Sequence, residues 1–198
     1  MFTVMVSNVD ESQRPHESPA DYVLRLAEAK ARAVAKDARN DNIVIGADTS
    51  VVDAGKILGK PADVVEAAAM LRRLRGHSHQ VQTGIAALRV RDGKSVTDLC
   101  VTEVPMRDYS DEEIETYLLT GDSLDKAGAY AIQHSRFQPV EKLSGCYASV
   151  MGLPMCHLLR VLHQLDLPPA ADLPTDCQTY LEYQCPVSSA ILRGEQVG

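Results

Sequence analysis

With 198 residues, 45% of them hydrophobic and 24% charged, the chain is long enough for one sizeable domain or two small lobes around a cleft, and too apolar for whole-chain disorder. A net charge of −7 speaks against a general nucleic-acid binder, which carries a basic face, and confines any anion site to a few local cations or a metal ion. No apolar run approaches the roughly 20 residues of a membrane-spanning helix, and Met1–Val6 has neither the basic start nor the apolar stretch of a signal peptide, so a cytoplasmic protein with no membrane partner is expected.

Taken in chain order, Thr3–Val6 is β-branched and apolar and predicts a short strand. A polar loop follows, carrying the adjacent carboxylates Asp10 and Glu11. Ser18, Pro19 and Asp21 then supply a capping hydroxyl, a first-turn proline and an acid three residues on, which together start a helix. Val23, Leu26, Ala27, Ala31 and Val34 recur at helical spacing and face a core. Lys30 lies near the same face, so its ammonium either snorkels out or reaches into a cleft. Ile43-Val44-Ile45 predicts a buried strand that ends at Gly46-Ala47-Asp48-Thr49. Ser50–Val52 continues the extended pattern, and Asp53-Ala54-Gly55-Lys56 is a turn.

Gly59 and Pro61 hold Lys60 in a tight loop beside the Asp48 strand end. Asp63 caps a second helix that stops at Gly76. Two long strands, about 80–90 and 95–104, form a hairpin around Arg91-Asp92-Gly93-Lys94. Ser110 and Glu113 open a third helix with a capping box. Residues 122–133 are loop-like, and Gly152-Leu153-Pro154 opens the last helix, which ends before Pro168-Pro169. The remainder, 170–198, shows no strong periodicity and reads as an appended tail.

Four stretches concentrate functional groups: Asp10-Glu11, Asp48 at its strand end, Lys60, and Asp125-Lys126 with Gln133. Carboxylates near lysines suit metal-assisted phosphate hydrolysis. Mg²⁺ takes one or two carboxylates plus phosphate oxygens, and lysines neutralise charge that builds in the transition state. A carboxylate within reach of the water acts as general base, and an amide such as Gln133 carries both donor and acceptor for a base edge. Each stretch also has a bland reading: a solvated acidic loop, a turn or cap aspartate, a surface lysine. His77 and His79 alternate as on an exposed strand, with no third metal ligand at hand. The five cysteines are odd in number and irregular in spacing, which predicts reduced thiols. Neither a phosphate-binding G-x-x-x-x-G-K-[ST] loop nor a G-x-S-x-G elbow is present.

Taken together, the stretches resemble the Maf family, also called septum formation inhibitor proteins. The matching text is Val9-Asp10-Glu11, Arg25-Leu26-Ala27 with Lys30-Ala31, Ile45-Gly46-Ala47-Asp48-Thr49, Leu58-Gly59-Lys60-Pro61, Thr83-Gly84, Asp125-Lys126-Ala127-Gly128-Ala129-Tyr130 with Ile132-Gln133, and Val150 with Gly152-Leu153-Pro154. These occur in the family's order over about residues 2–165. The resemblance implies an α/β fold, elongated and two-lobed, with a central mixed β-sheet, flanking helices and a deep cleft. It places a Maf-like domain at 1–168 and a tail at 169–198.

The same resemblance implies a nucleoside triphosphate pyrophosphatase that cleaves between the α- and β-phosphates with a divalent cation, Mg²⁺ or Mn²⁺, and that is commonly a homodimer. By motif position, Asp48 is similar to the family's catalytic proton acceptor. Glu11, Lys30 and Lys60 match polar residues of its active-site groove, and Asp48 and Glu11 are the candidate metal ligands. Thr49 and Gln133 match positions tied to substrate choice and resemble the dTTP/UTP branch rather than the branch acting on 7-methyl-GTP. Family members open with a strand and a Ser-x-Ser-Pro-Arg-Arg loop. This sequence starts just after that point, so the first strand and helix and the paired arginines are expected to be missing, with weaker triphosphate capture. The competing reading is a non-catalytic, nucleotide-binding regulator of cell division. The enzymatic reading requires Asp48, Lys30 and Lys60 to converge on one cleft.

Overall fold

A computed structural model describes residues 2–198. The first helix, α1 (Pro19–Ala35), starts as its sequence dictates: Ser18 is the N-cap, and its hydroxyl accepts from the Asp21 backbone N–H. Four strands follow: β1 (Ile43–Asp53), β2 (Lys56–Leu58), β3 (Ser78–Arg89) and β4 (Lys94–Pro105), with α2 (Val64–Leu74) between β2 and β3. They form one sheet in the order β2-β1-β3-β4. Every pairing is antiparallel, so the α/β class stands but the sheet is not mixed. The reason lies in the connections. β1–β2 and β3–β4 are tight hairpins, and Thr3–Val6, the remaining strand candidate, forms no strand. Phe2, Val4 and Val6 are exposed, so their apolar side chains have no sheet face to bury against.

The face of the sheet that carries Val44, Gly46, Asp48, Gly84, Ala86 and Leu88 is covered by α1. Two glycines set the closeness of that contact. A Cβ on Gly46 would stand 2.2 Å from the Ala27 carbonyl oxygen, and one on Gly84 would stand 2.5 Å from that of Val23. The helix backbone therefore lies directly on the sheet, with Ala27 and Ala31 as its buried contacts. The opposite face packs on α5 (Met155–Gln164) through Ile85, Ala87, Leu158, Val161 and Leu165. A separate cluster joins α2 and α3 (Asp111–Leu118) to the sheet ends through Leu71, Leu74, Val81, Val104, Ile114 and Tyr117.

β1 does not end at Asp48: it runs unbroken to Asp53, and Asp48 sits in mid-strand opposite Gly84. The polar Asp48-Thr49-Ser50 run looks like an ending, yet β3 supplies its pairing throughout. Nor is α5 the last helix. After the short α4 (Tyr147–Val150) and α5 come α6 (Leu173–Tyr180) and α7 (Ser188–Leu192). Helix α6 is capped by Asp172, and Ile191 of α7 is fully buried. Elements this short carry too few turns to show a period in the sequence.

Candidate active site

Strand β2 pairs only with Val51–Asp53, so β1 from Ile43 to Ser50 has a strand partner on one side alone. A cavity of about 640 Å³ runs along this bare edge, within the size range of small-molecule sites. The six residues that the family resemblance assigns to the site, Glu11, Lys30, Asp48, Thr49, Lys60 and Gln133, all line it. Asp48 and Thr49 are neighbours on a strand and point to opposite faces. Both reach the cavity because it wraps around an edge that no strand among the described residues covers.

The α1 side of the cavity is electrostatically dense. Lys30 Nζ donates to Asp48 Oδ1 at 2.7 Å and lies 2.8 Å from Glu11 Oε1. Asp48 is only 9% exposed at its side chain, whereas Glu11 is 52% exposed. Burial raises the Asp48 carboxyl above the usual aspartate value, more than the Lys30 ammonium lowers it. Burial alone would pull Lys30 down, but hydrogen bonds to Asp48 and Glu11 together hold its ammonium above the ordinary lysine value. Asp48 moves upward because its burial dominates, and Lys30 because its two carboxylate partners outweigh its own burial. A carboxylate raised in this way accepts a proton more readily.

Glu11 belongs to a loop without regular structure, and α1 holds that loop in place. The Tyr22 hydroxyl donates to the Glu11 carbonyl at 2.8 Å, and Arg25 Nη2 donates to the Ser12 carbonyl at 3.1 Å. Asp10 instead accepts from the Ser12 backbone N–H at 2.9 Å and does not line the cavity. Of the acidic pair, Glu11 faces the cleft and Asp10 shapes the turn.

The far wall comes from the loop after β2 and from residues 125–133. The Gly128 N–H donates to the Gly59 carbonyl at 3.1 Å and ties the two loops together just before Lys60. Gly128 has φ +68, and a Cβ there would meet Val51 at 2.9 Å, so both backbone and packing require glycine. Lys126 is neutralised by Asp122 and Asp125 at 3.0 and 2.7 Å. Among the described residues Lys60 forms no ion pair, and its charge acts on Asp48 across the cavity. Gln133 is exposed at the cavity rim, and its amide has no hydrogen bond among the described residues.

Some contributors escaped the sequence reading. Tyr22 is a cavity residue hidden in the first turn of α1. Thr83 contacts Thr49, a relation set by cross-strand register, which spacing along the chain does not display. His79 is not on an exposed strand: it is buried behind the cavity wall with Nε2 2.8 Å from the Tyr130 hydroxyl. Burial pushes its pKa down to about 4. Tyr130 covers that face of β3, and nothing local to His79 announces it. His77 is the more open of the two and pairs with Asp53 at 3.1 Å.

A divalent cation fits the donor set in a limited way. Asp48 Oδ2 and Glu11 Oε2 take no hydrogen bond among the described residues, which leaves hard oxygen donors facing one cavity. No cluster of three or more His, Cys, Asp or Glu able to hold a metal occurs among the described residues. A cation held here therefore needs further oxygens from a ligand, as Mg²⁺ in phosphate sites does.

The comparisons with known proteins agree on one family. A family profile described as Maf-like protein matches residues 1–165. The chain is 44% identical over 168 residues to a dTTP/UTP pyrophosphatase of Hahella chejuensis, covering 84% of this chain and 83% of that protein. It is 48% identical over 163 residues to one of Alkaliphilus metalliredigens, covering 82% and 84%. It is 43% identical over 167 residues to one of Clostridium botulinum, covering 83% and 86%. With the profile spanning most of its length and relatives this similar, the chain belongs to the Maf-like protein family.

Proposed function

We propose that this protein is a nucleoside triphosphate pyrophosphatase that hydrolyses dTTP and UTP to the monophosphate and diphosphate. Named relatives support the substrate class. The observation that carries the chemistry is the pairing of a buried, pKa-raised Asp48 with Lys30 in a cavity that also holds Glu11 and Lys60. We assign the activity to residues 1–168, with 169–198 as an appended segment.

In this reading the base lies toward Thr49 and Gln133, and the phosphates lie toward Lys30 and Lys60. Asp48 accepts a proton from a water as that water's oxygen bonds to phosphorus and the bridging P–O bond between the α- and β-phosphates breaks. The bond's electron pair leaves on the diphosphate, where the lysines offset the growing charge. Asp48 and Glu11 would hold a divalent cation, which when bound polarises the phosphoryl oxygens. The partly exposed Lys30 keeps Asp48 oriented through its hydrogen bond to Oδ1. No helix among the described residues is long and apolar enough to cross a membrane. We place the protein in the cytoplasm as a homodimer.

Product analysis tests the reading. Incubation of dTTP or UTP with the protein and Mg²⁺ or Mn²⁺ gives the monophosphate and diphosphate in equal amounts. Release of inorganic phosphate alone, or tight nucleotide binding with no turnover, contradicts it.

A further inference from the structure

Thr49 and Thr83 face each other across β1 and β3, with their hydroxyl oxygens 2.9 Å apart. A threonine hydroxyl has one proton to donate. The Thr83 proton is already committed. Its oxygen lies 2.8 Å from the Ser149 carbonyl oxygen, which has no proton of its own, and the Thr83 side chain is fully buried. The Ser149 carbonyl also accepts from the Gly152 N–H at 2.9 Å, but turning the Thr83 proton toward Thr49 would still leave the Thr83 and Ser149 oxygens 2.8 Å apart with no hydrogen between them. The direction of the chain is thus fixed: Thr49 donates to Thr83, and Thr83 donates to Ser149.

What remains of Thr49 for the cavity is its lone pairs. Its approach from that side is open because residue 152 is glycine, with φ +105. A Cβ there would stand 3.5 Å from the Thr49 hydroxyl oxygen. Gln133 cannot supply the same polarity, since an amide presents both donor and acceptor and can turn over.

Resting on the proposed function, we infer that Thr83 is a positioning residue that fixes Thr49 as an acceptor-only group and so selects a pyrimidine with an N–H donor on its pairing edge. Uracil and thymine carry that donor at N3. Cytosine carries a proton-free nitrogen there, which would set two acceptors against each other. The substrate class follows from a proton direction that begins at a backbone carbonyl of α4.

The test is the ratio of kcat/KM for UTP over CTP, with N3-methyl-UTP as a uracil lacking the donor. Wild type favours UTP over both by about tenfold or more, the worth of one hydrogen bond with a fixed direction. Thr83→Val and Thr49→Val bring the UTP/CTP ratio toward one, and Thr83→Ser preserves it. Thr83→Val sets a methyl against the Ser149 carbonyl, so if it fails to fold, Thr49→Val on the cavity wall reads the same ratio. Wild type using UTP and CTP alike, or both valine variants losing UTP and CTP turnover in equal proportion, overturns the inference and leaves the proposed function standing. No turnover of any triphosphate by wild type overturns the proposed function and this inference with it.

Discussion

Lys30 Nζ lies 2.7 Å from Asp48 Oδ1 and 2.8 Å from Glu11 Oε1, so one ammonium joins a helix, a strand and the N-terminal loop. Replacing it with methionine leaves a buried carboxylate beside another with no counter-charge. Lys30→Met is expected to lower kcat/KM for dTTP by about a hundredfold, or about 3 kcal/mol of transition-state stabilisation. It also costs about 1–3 kcal/mol of stability, discounted because the lysine is partly exposed. Adding Asp48→Asn removes the stranded charge and recovers part of that stability. Urea unfolding of the two single variants and the double variant measures the coupling. Strictly additive stabilities would mean that the pair does not interact.

The contact that delivers Lys30 to Asp48 depends on Gly84, which faces Asp48 in register and lies under α1. Gly84→Ala drives a methyl into the Val23 carbonyl, which is backbone and cannot swing aside. We expect a loss of about 3 kcal/mol or more, together with reduced activity as α1 lifts and carries Lys30 away. Gly59→Ala meets open space and is expected to stay within about 0.5 kcal/mol of wild type. Equal melting temperatures for the two variants would refute this account of helix seating.

Much of this was legible in the sequence. The caps at Ser18, Asp63 and Ser110 and the turns at Gly55 and Gly93 are local, and each appears where its residues predict. The convergence of Glu11, Lys30, Asp48, Thr49, Lys60 and Gln133 on one cavity came from motif resemblance, since nothing in their spacing of tens of residues dictates it. What stayed hidden is non-local. The exposed Thr3–Val6 segment has the composition of a strand but no neighbour to pair with. His79 is buried by Tyr130, a residue 51 positions away. The Thr49–Thr83 contact depends on register, which hydrophobic patterning fixes only to within a face.

His79 makes stability depend on pH. Its pKa falls from 6.5 to about 4 on folding, because its buried ring resists charging. The unfolded chain therefore binds the extra proton first. Stability is fully present above about pH 6.5, and it erodes as the pH falls toward 4, by roughly 3 kcal/mol at most from this group. His79→Gln, which keeps a partner for Tyr130, is expected to flatten the slope of unfolding free energy between those values. An unchanged slope would assign the acid sensitivity to other groups.

Two carboxylates are too few to hold a hard cation on their own. Mg²⁺ by itself is therefore expected to move the melting temperature by less than about a degree, whereas Mg²⁺ with a non-hydrolysable dTTP analogue raises it by several degrees through mass action on the folded state. Chelation abolishes turnover yet leaves the melting temperature of the free protein where it was. A large shift with Mg²⁺ alone would point to a complete metal site elsewhere.

The proposed chemistry turns on Asp48 taking the proton from the attacking water. The most direct measurement is the turnover number for dTTP of Asp48→Asn beside wild type, with nucleotide affinity measured on the same samples. An amide has the same shape but is no base, so kcat should fall by about a thousandfold or more while binding changes by less than about tenfold. If Asp48→Asn hydrolyses dTTP at a rate close to that of wild type, Asp48 is not the proton acceptor and the proposed chemistry of this cavity is wrong.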